Sequence, residues 1–310
     1  MKKLLIAVLL VYTSASGFSQ NKKICVTVDD LPVVTYGKTD HQLRLTITKR
    51  LIATFKQYDI PAIGYVNESK LYANGEFKQE RLDLLEMWLA GGNDLGNHTF
   101  SHPSYHKADF TTFTKDIIKG EQLTKPLVEK YGKALKYFRH PYLRVGLTKE
   151  KHQALTQFLT EHGYTEAPVT IDNEDYLFAK AYHLAYNKRD EATMSKIGED
   201  YVTYMEDKLI FYENMSIKLF ERPMAQSLLI HASLLNADYM DDLAEIYKKH
   251  GYTFVSQEDV LKDEAYNSEI TRYGDWGISW LDRWALSQGK KGAFFAGDIP
   301  TPNYVKELAR

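Results

Sequence analysis

Cysteine is almost missing. Cys25 stands alone among 310 residues, so no internal disulfide can staple the fold and a buried core has to hold it. Its neighbours are apolar, which makes Cys25 a buried strand residue. An excess of one charge is missing too: 39 basic and 41 acidic residues leave a net charge of −2. That balance excludes the basic face that phosphate backbones need, and with it nucleic acid as the main partner. The apolar run at the start, Leu4 to Val11, falls well short of the roughly 20 residues that cross a bilayer. No stable membrane span is expected. Repeats, low-complexity tracts and Pro/Gly-rich linkers are also lacking, so one domain suffices.

What the first residues do carry is an export pattern. Lys2 and Lys3 precede the short apolar run, and Thr13, Ser14, Ala15, Ser16 and Gly17 follow it. A charged start, a brief hydrophobic stretch and small residues make a cleavable signal peptide. Residues 1–19 are assigned to it, with export to the periplasm or the extracellular space expected. Residues 20–310 form the mature domain, a size normal for an α/β barrel.

Strand-like and helix-like patterns alternate through that domain. Strands are expected at 23–28, 62–66, 94–97, 136–139, 167–171, 226–230 and 253–255. Helices are expected at 41–58, 81–90, 110–131 (bent around Pro126), 149–162 and 240–250, with two more between 176 and 220 that separate near Arg189. Repeated βα units imply a mostly parallel sheet with helices outside it. The fold class is therefore α/β: a distorted (β/α) barrel of about seven parallel strands, with a helical insertion at about 177–225 and a C-terminal extension at about 260–310.

Reactive side chains fall just after the expected strands. Asp29 and Asp30 follow the first, His98 and His102 the third, and Arg139, Pro141 and Tyr142 the fourth. Asp172 and Asp175 follow the fifth, and His231 the sixth. In a parallel barrel the C-terminal strand ends open on one face, where catalytic groups gather. Taken singly, each has a plainer reading. Paired aspartates often cap helices, an HxxxH pair can be two surface histidines, and a lone histidine is usually a bonded core residue.

In order and spacing these residues resemble the polysaccharide deacetylase family. The matching segments are Thr27-Val-Asp-Asp30, His98-Thr-Phe-Ser-His102, Arg139-His-Pro-Tyr142, Asp172-Asn-Glu-Asp-Tyr176 and Leu229-Ile-His231. Three departures bear on the substrate pocket: Tyr176 stands where the family usually has Trp, Val28 replaces the usual aromatic, and Tyr142 stands where Gly is also common. The resemblance implies a divalent ion, usually Zn²⁺, held by Asp30, His98 and His102. The same ligand set also suits Co²⁺, Ni²⁺ or Fe²⁺. It further implies Asp29 as general base, oriented and kept ionised by Arg139, and His231 as the acid that protonates the leaving amine. Asp172 is expected to pair with His231. The backbone N–H of Tyr142, presented by Pro141, faces the developing oxyanion.

The implied activity is metal-dependent removal of N-acetyl groups from the amino sugars of a glycan. Two other readings stay open: a same-fold hydrolase of a non-sugar amide, cyclic imide or ureide, and a silent glycan-binding protein. Trp276, Trp280 and Trp284 recur at four-residue spacing, which fits core packing better than a sugar platform. His106, close to the HxxxH turn, is either a site residue or a surface one.

Overall fold

The computed structural model describes residues 22–37 and 39–310, so the expected signal peptide lies outside the described residues. Strand β1 (Lys22–Leu31) is buried along most of its length. Such a run of Ile, Val and Thr is what a central parallel strand with two covered faces requires. Helix α1 (His41–Gln57) follows, capped by Asp40, whose side chain accepts the Leu43 N–H. Then come β2 (Ile63–Val66), a short hairpin of β3 (Tyr72–Ala73) and β4 (Glu76–Phe77), helix α2 (Gln79–Ala90) and β5 (Asp94–Asn97). Helices α3 (Phe110–Lys119) and α4 (Thr124–Lys130) precede β6 (Tyr137–Phe138), α5 (Lys149–Glu161) and β7 (Thr165–Glu166). The second half holds α6 (Asp175–Lys188), the long α7 (Glu191–Phe220), β8 (Gln226–His231), α8 (Leu234–Lys249) and β9 (Tyr252–Phe254). Helices α9 (Gln257–Val260), α10 (Trp280–Ser287) and α11 (Asn303–Leu308) end the chain.

Seven strands form one parallel sheet in the order β7-β6-β5-β2-β1-β8, with β9 also paired to β1. The sheet curls into a distorted barrel with helices outside, as expected from the βα alternation. No helix among the described residues is long and apolar enough to cross a membrane.

Three local expectations are corrected. The helix expected at 110–131 is two helices, broken at residues 120–123 and not at Pro126, which lies inside the first turn of α4. The buried Glu68 carboxylate accepts the N–H groups of Leu123 and Thr124 (2.9 and 2.6 Å) and caps that second helix. Pro126 is tolerated where an N–H would have no partner in any case. The strand expected at 167–171 is not formed: the two-residue β7 precedes it, and within it Ile171 makes a parallel bridge with Leu228. That stretch crosses from β6 to β8 to close the barrel, so only its ends can pair with strands. Its middle is covered by the C-terminal extension, where Trp280 N–H donates to the Val169 carbonyl at 2.7 Å. Finally, α8 begins at Leu234, six residues before the expected start, because the Ser233 side chain caps it by accepting the Asn236 N–H.

The tryptophan stripe resolves as packing. Trp280 and Trp284 are buried, and Trp284 meets Phe220 and Tyr266 edge-on. Trp276 lies before the helix and is only half-buried. The extension thus shares the core of the barrel. Trp284→Ala is expected to cost about 3–5 kcal/mol and to lower the melting temperature of the whole protein in a single transition. A calorimetric scan with an unmoved main transition would separate the extension from that core.

Candidate metal centre

Consecutive side chains of a strand point to opposite faces, yet Asp29 and Asp30 both border one cavity of about 620 Å³. The backbone resolves this. Pairing of β1 with β2 slips register between Val28 and Leu31, and Asp30 adopts a left-handed conformation (φ 68°). Such a backbone is costly for a residue with a Cβ, and here it turns the second carboxylate toward the first.

The HxxxH segment is an irregular turn, followed directly by Pro103. Thr99 and His102 both have positive φ (68° and 57°). The Thr99 N–H donates to Asn97 Oδ1 at 2.7 Å, and the His102 N–H donates to Thr99 Oγ1 at 3.0 Å. The turn stacks the two imidazoles edge-on, 4.8 Å apart. His98 Nδ1 lies 2.8 Å from the carbonyl oxygen of Arg139. A carbonyl only accepts, so Nδ1 carries the proton and Nε2 faces the cavity with its lone pair.

Three atoms converge there. Asp30 Oδ1 lies 3.6 Å from His98 Nε2 and 3.5 Å from His102 Nε2. It is buried and has no hydrogen-bond partner. These gaps are too wide for strong hydrogen bonds. They are close to the separation of about 3.3 Å between neighbouring donors of a tetrahedral ion with bonds of about 2.0–2.1 Å. Burial holds both imidazoles below the usual histidine range, with the His102 charge acting further on His98. Burial would raise Asp30, but Lys70, His102, His231 and His98 outweigh it and hold the carboxyl well below the carboxylate range. One carboxylate and two neutral imidazoles are a donor set for a borderline divalent ion.

A second group, His140, His152 and Glu166, also brings three possible ligands together. Its contacts are shorter, at 2.6 Å and 3.2 Å to the same Glu166 oxygen, while Thr156 Oγ1 donates to the other oxygen at 3.1 Å. Those are hydrogen bonds already made, and they brace the loop that begins at Pro141.

Around the first group the remaining predicted residues take distinct positions. Burial raises Asp29 to about 6, against the lowering charges of Arg139 and His231. Arg139 is wholly buried, donates from Nη2 to Thr27 Oγ1 (2.8 Å) and holds Nε 3.8 Å from Asp29 Oδ1. That is an ion pair without a hydrogen bond, and it does not overcome the burial of Asp29. Tyr142 sits at positive φ (57°) with its ring on His102 at 4.4 Å, and Tyr142, Tyr36 and Tyr176 border the cavity.

The expected pairing of Asp172 with His231 is corrected. His231 Nδ1 lies 2.7 Å from Asp175 Oδ1, and the His231 N–H donates to Asp175 Oδ2 at 2.8 Å. Asn236 Nδ2 donates both to Asp175 Oδ2 (2.9 Å) and to the His231 carbonyl (2.8 Å). Asp175 opens α6 against the end of β8, which aims its carboxylate at His231. Asp172, three residues earlier, accepts the Asn173 N–H at 2.9 Å. It also borders the cavity. Burial, with the negative charge of Asp282 behind it, raises Asp172 to about 7. Burial alone would depress His231, but the charge and hydrogen bond of Asp175, with Asp30 and Asp29, lift it to about 9. His106 takes no part in the cavity: it is buried and bonds Asp275 at 3.1 Å.

Two residues at this end of the barrel carried no motif. Arg283, buried in the C-terminal extension, donates to the Leu143 carbonyl (2.7 Å) and the Trp276 carbonyl (3.2 Å), so the extension braces the Tyr142 loop. Lys70 contacts Asp30. A positive residue three places after an Asn that follows a strand is too common a pattern to single out.

Comparison with known proteins bears out the resemblance. Residues 17–167 match the family model described as polysaccharide deacetylase, a span that includes the first three matching segments. A peptidoglycan-N-acetylglucosamine deacetylase of Bacillus cereus is 26% identical over 127 residues, 41% of this chain and 38% of that protein. An uncharacterized 30.6 kDa protein of Geobacillus stearothermophilus is 26% identical over 226 residues, 71% of this chain and 68% of that one. Among solved structures, a peptidoglycan N-acetylglucosamine deacetylase superposes with TM-score 0.52 at 18% identity, covering 77% of this chain and 88% of its own. A CE4 family pseudoenzyme of Bacillus anthracis superposes with TM-score 0.50 at 15% identity, covering 78% and 66%. At these identities the superpositions speak for the fold.

The His231 partner is open to direct test. In the metal-free protein, NMR titration of His231 should give a pKa near 9. Asp175→Asn should move it toward acid, since burial is then opposed only by the more distant charges of Asp30 and Asp29, while Asp172→Asn should leave it nearly in place. The opposite ranking would restore Asp172 as the partner.

Proposed function

We propose that this chain, a relative of the polysaccharide deacetylases, is an exported hydrolase that removes N-acetyl groups from amino sugars of a glycan with the help of a divalent ion. The observation that carries this reading is the meeting of Asp30 Oδ1, His98 Nε2 and His102 Nε2 around one point, with Asp29 and His231 on the same cavity. Support for an N-acetylated glycan comes from the family match, from the name of the Bacillus cereus relative and from the tyrosine rings beside the site.

Asp30, His98 and His102 are the residues that would hold the ion. Zn²⁺ suits them best, and Co²⁺, Ni²⁺ or Fe²⁺ fit the same donors. When bound, such an ion polarises the acetyl carbonyl and lowers the pKa of water from about 16 toward about 7. Asp29, free of the ion and set near 6, is matched to accept the proton of the attacking water at neutral pH. Arg139 keeps its guanidinium beside that carboxylate and limits how far burial can raise it. As the carbonyl oxygen gains charge, the Tyr142 N–H stabilises it, held in place by Pro141 before it and Arg283 behind it. His231 has Nδ1 committed to Asp175, so Nε2 is left to protonate the amine as the C–N bond breaks. Asp175 keeps that imidazolium charged through neutral pH.

The sign of the pH dependence follows. Asp29 must be ionised, so kcat/KM should rise with pH on the acid side, at or below the value of about 6 that Asp29 has without the ion. His231 must be charged, so kcat/KM should fall on the alkaline side, at or below the value of about 9 that His231 has without the ion. Acetate release from N-acetylated chito-oligosaccharides and peptidoglycan fragments, with and without chelator, checks the activity. Asp29→Asn should keep the ion and lose about 10²–10⁴ in rate, whereas Asp30→Asn should lose the ion. Acetate release insensitive to chelator, or release only from cyclic imides, would contradict the reading. Ion and glycan binding without turnover would make the chain a binding protein.

A further inference from the structure

Lys70 sits in a single 3₁₀ turn, Glu68–Leu71, directly after β2. Its ammonium makes two contacts with one residue: 2.9 Å to the Asp30 carbonyl oxygen and 3.1 Å to Asp30 Oδ2. Asp30 therefore divides its two carboxylate oxygens. Oδ2 is held by Lys70, and Oδ1 alone faces His98 and His102. The main-chain contact matters as much, because Asp30 is the residue with φ 68° that turns its carboxylate into the cavity.

The turn that carries Lys70 is pinned on several sides. Asn67 N–H donates to the Leu31 carbonyl at 3.2 Å, and Asn67 Nδ2 donates to the His98 carbonyl at 2.5 Å. Ser69 N–H donates to the Phe100 carbonyl at 3.0 Å. Arg81 of α2 grips the Lys70 carbonyl (2.8 Å) and the Tyr72 carbonyl (2.6 Å). The turn is thus tied to both segments that supply the three converging atoms, and the ammonium has a fixed origin from which to reach Asp30.

We propose that Lys70 is the positioning residue of this centre: it holds Asp30 in its left-handed conformation and occupies Oδ2, so that Asp30 offers an ion one oxygen only. The inference rests on the reading of Asp30, His98 and His102 as ion ligands. A free carboxylate can bind a divalent ion through one oxygen or two. With Oδ2 occupied, the protein supplies three donor atoms and leaves positions open for water and a carbonyl oxygen. Without Lys70, Oδ2 is free to swing in and fill one of them. Lys70 touches Asp30 and acts through it.

Cobalt(II) reads this out, because its visible bands are intense in four- and five-coordinate sites and weak in six-coordinate ones. Wild-type protein loaded with one Co²⁺ should show the intense spectrum. Lys70→Met should keep the cobalt but lose most of the band intensity, and Lys70→Arg, which restores a donor cation, should recover it. Thermal melting of the loaded variants confirms that each is folded. An unchanged spectrum in Lys70→Met overturns the inference. So does a crystal structure of the cobalt-loaded wild type in which both Asp30 oxygens bind the ion, an outcome that holds even if the Met variant does not fold. Wild-type protein that takes up no cobalt at these residues refutes the ion site itself, a result distinct from the other two.

Discussion

Two neighbouring aspartates on one strand have to serve one cavity, and strand geometry forbids it. An undisturbed β1 would send Asp29 and Asp30 to opposite faces of the sheet. The register slip after Val28 and the positive φ of Asp30 remove that conflict. Much of the centre is arranged around this local departure. Lys70 bonds the main chain of Asp30, the Asn67 turn bonds the next carbonyl at Leu31, and the His98 turn is tied to both. Strain concentrated at one residue and supported from several elements is the usual condition of a preorganised site.

That geometry also sorts the charges. Asp29 and Asp30 have adjacent backbones but opposite electrostatic fates. Burial dominates at Asp29 and brings it toward neutrality, whereas cations surround Asp30 and keep it ionised. The histidines divide in the same way. At His98 and His102 desolvation outweighs the Asp30 charge and lowers both, whereas at His231 Asp175 outweighs it and raises the imidazole. On the proposed function, these two residue types supply a base, an acid and a ligand set through environment alone.

How much of this could be read from the chain depended on distance in sequence. The barrel was legible because βα alternation is a local pattern. Asp30, His98 and His102 stood out because each lies within five residues of a strand end. The choice between Asp172 and Asp175 was not legible, since it depends on where α6 starts and how its first turn meets β8. Lys70 and Arg283 reach their partners across 40 and 140 residues, and nothing local distinguishes them from surface cations. The closing stretch at 167–171 looked like a strand because its residues are buried. Its ends meet β6 and β8, but its middle is met by Trp280 of the extension and not by a strand.

The central claim is that Asp30, His98 and His102 hold one divalent ion. An anomalous difference map from crystals grown with Zn²⁺, recorded above and below the zinc edge, tests it most directly. The account predicts a single strong peak about 2.0–2.2 Å from Asp30 Oδ1, His98 Nε2 and His102 Nε2, with Asp29 outside bonding distance. A peak at His140, His152 and Glu166 instead, or none at the first three residues in protein soaked with excess zinc, would contradict it.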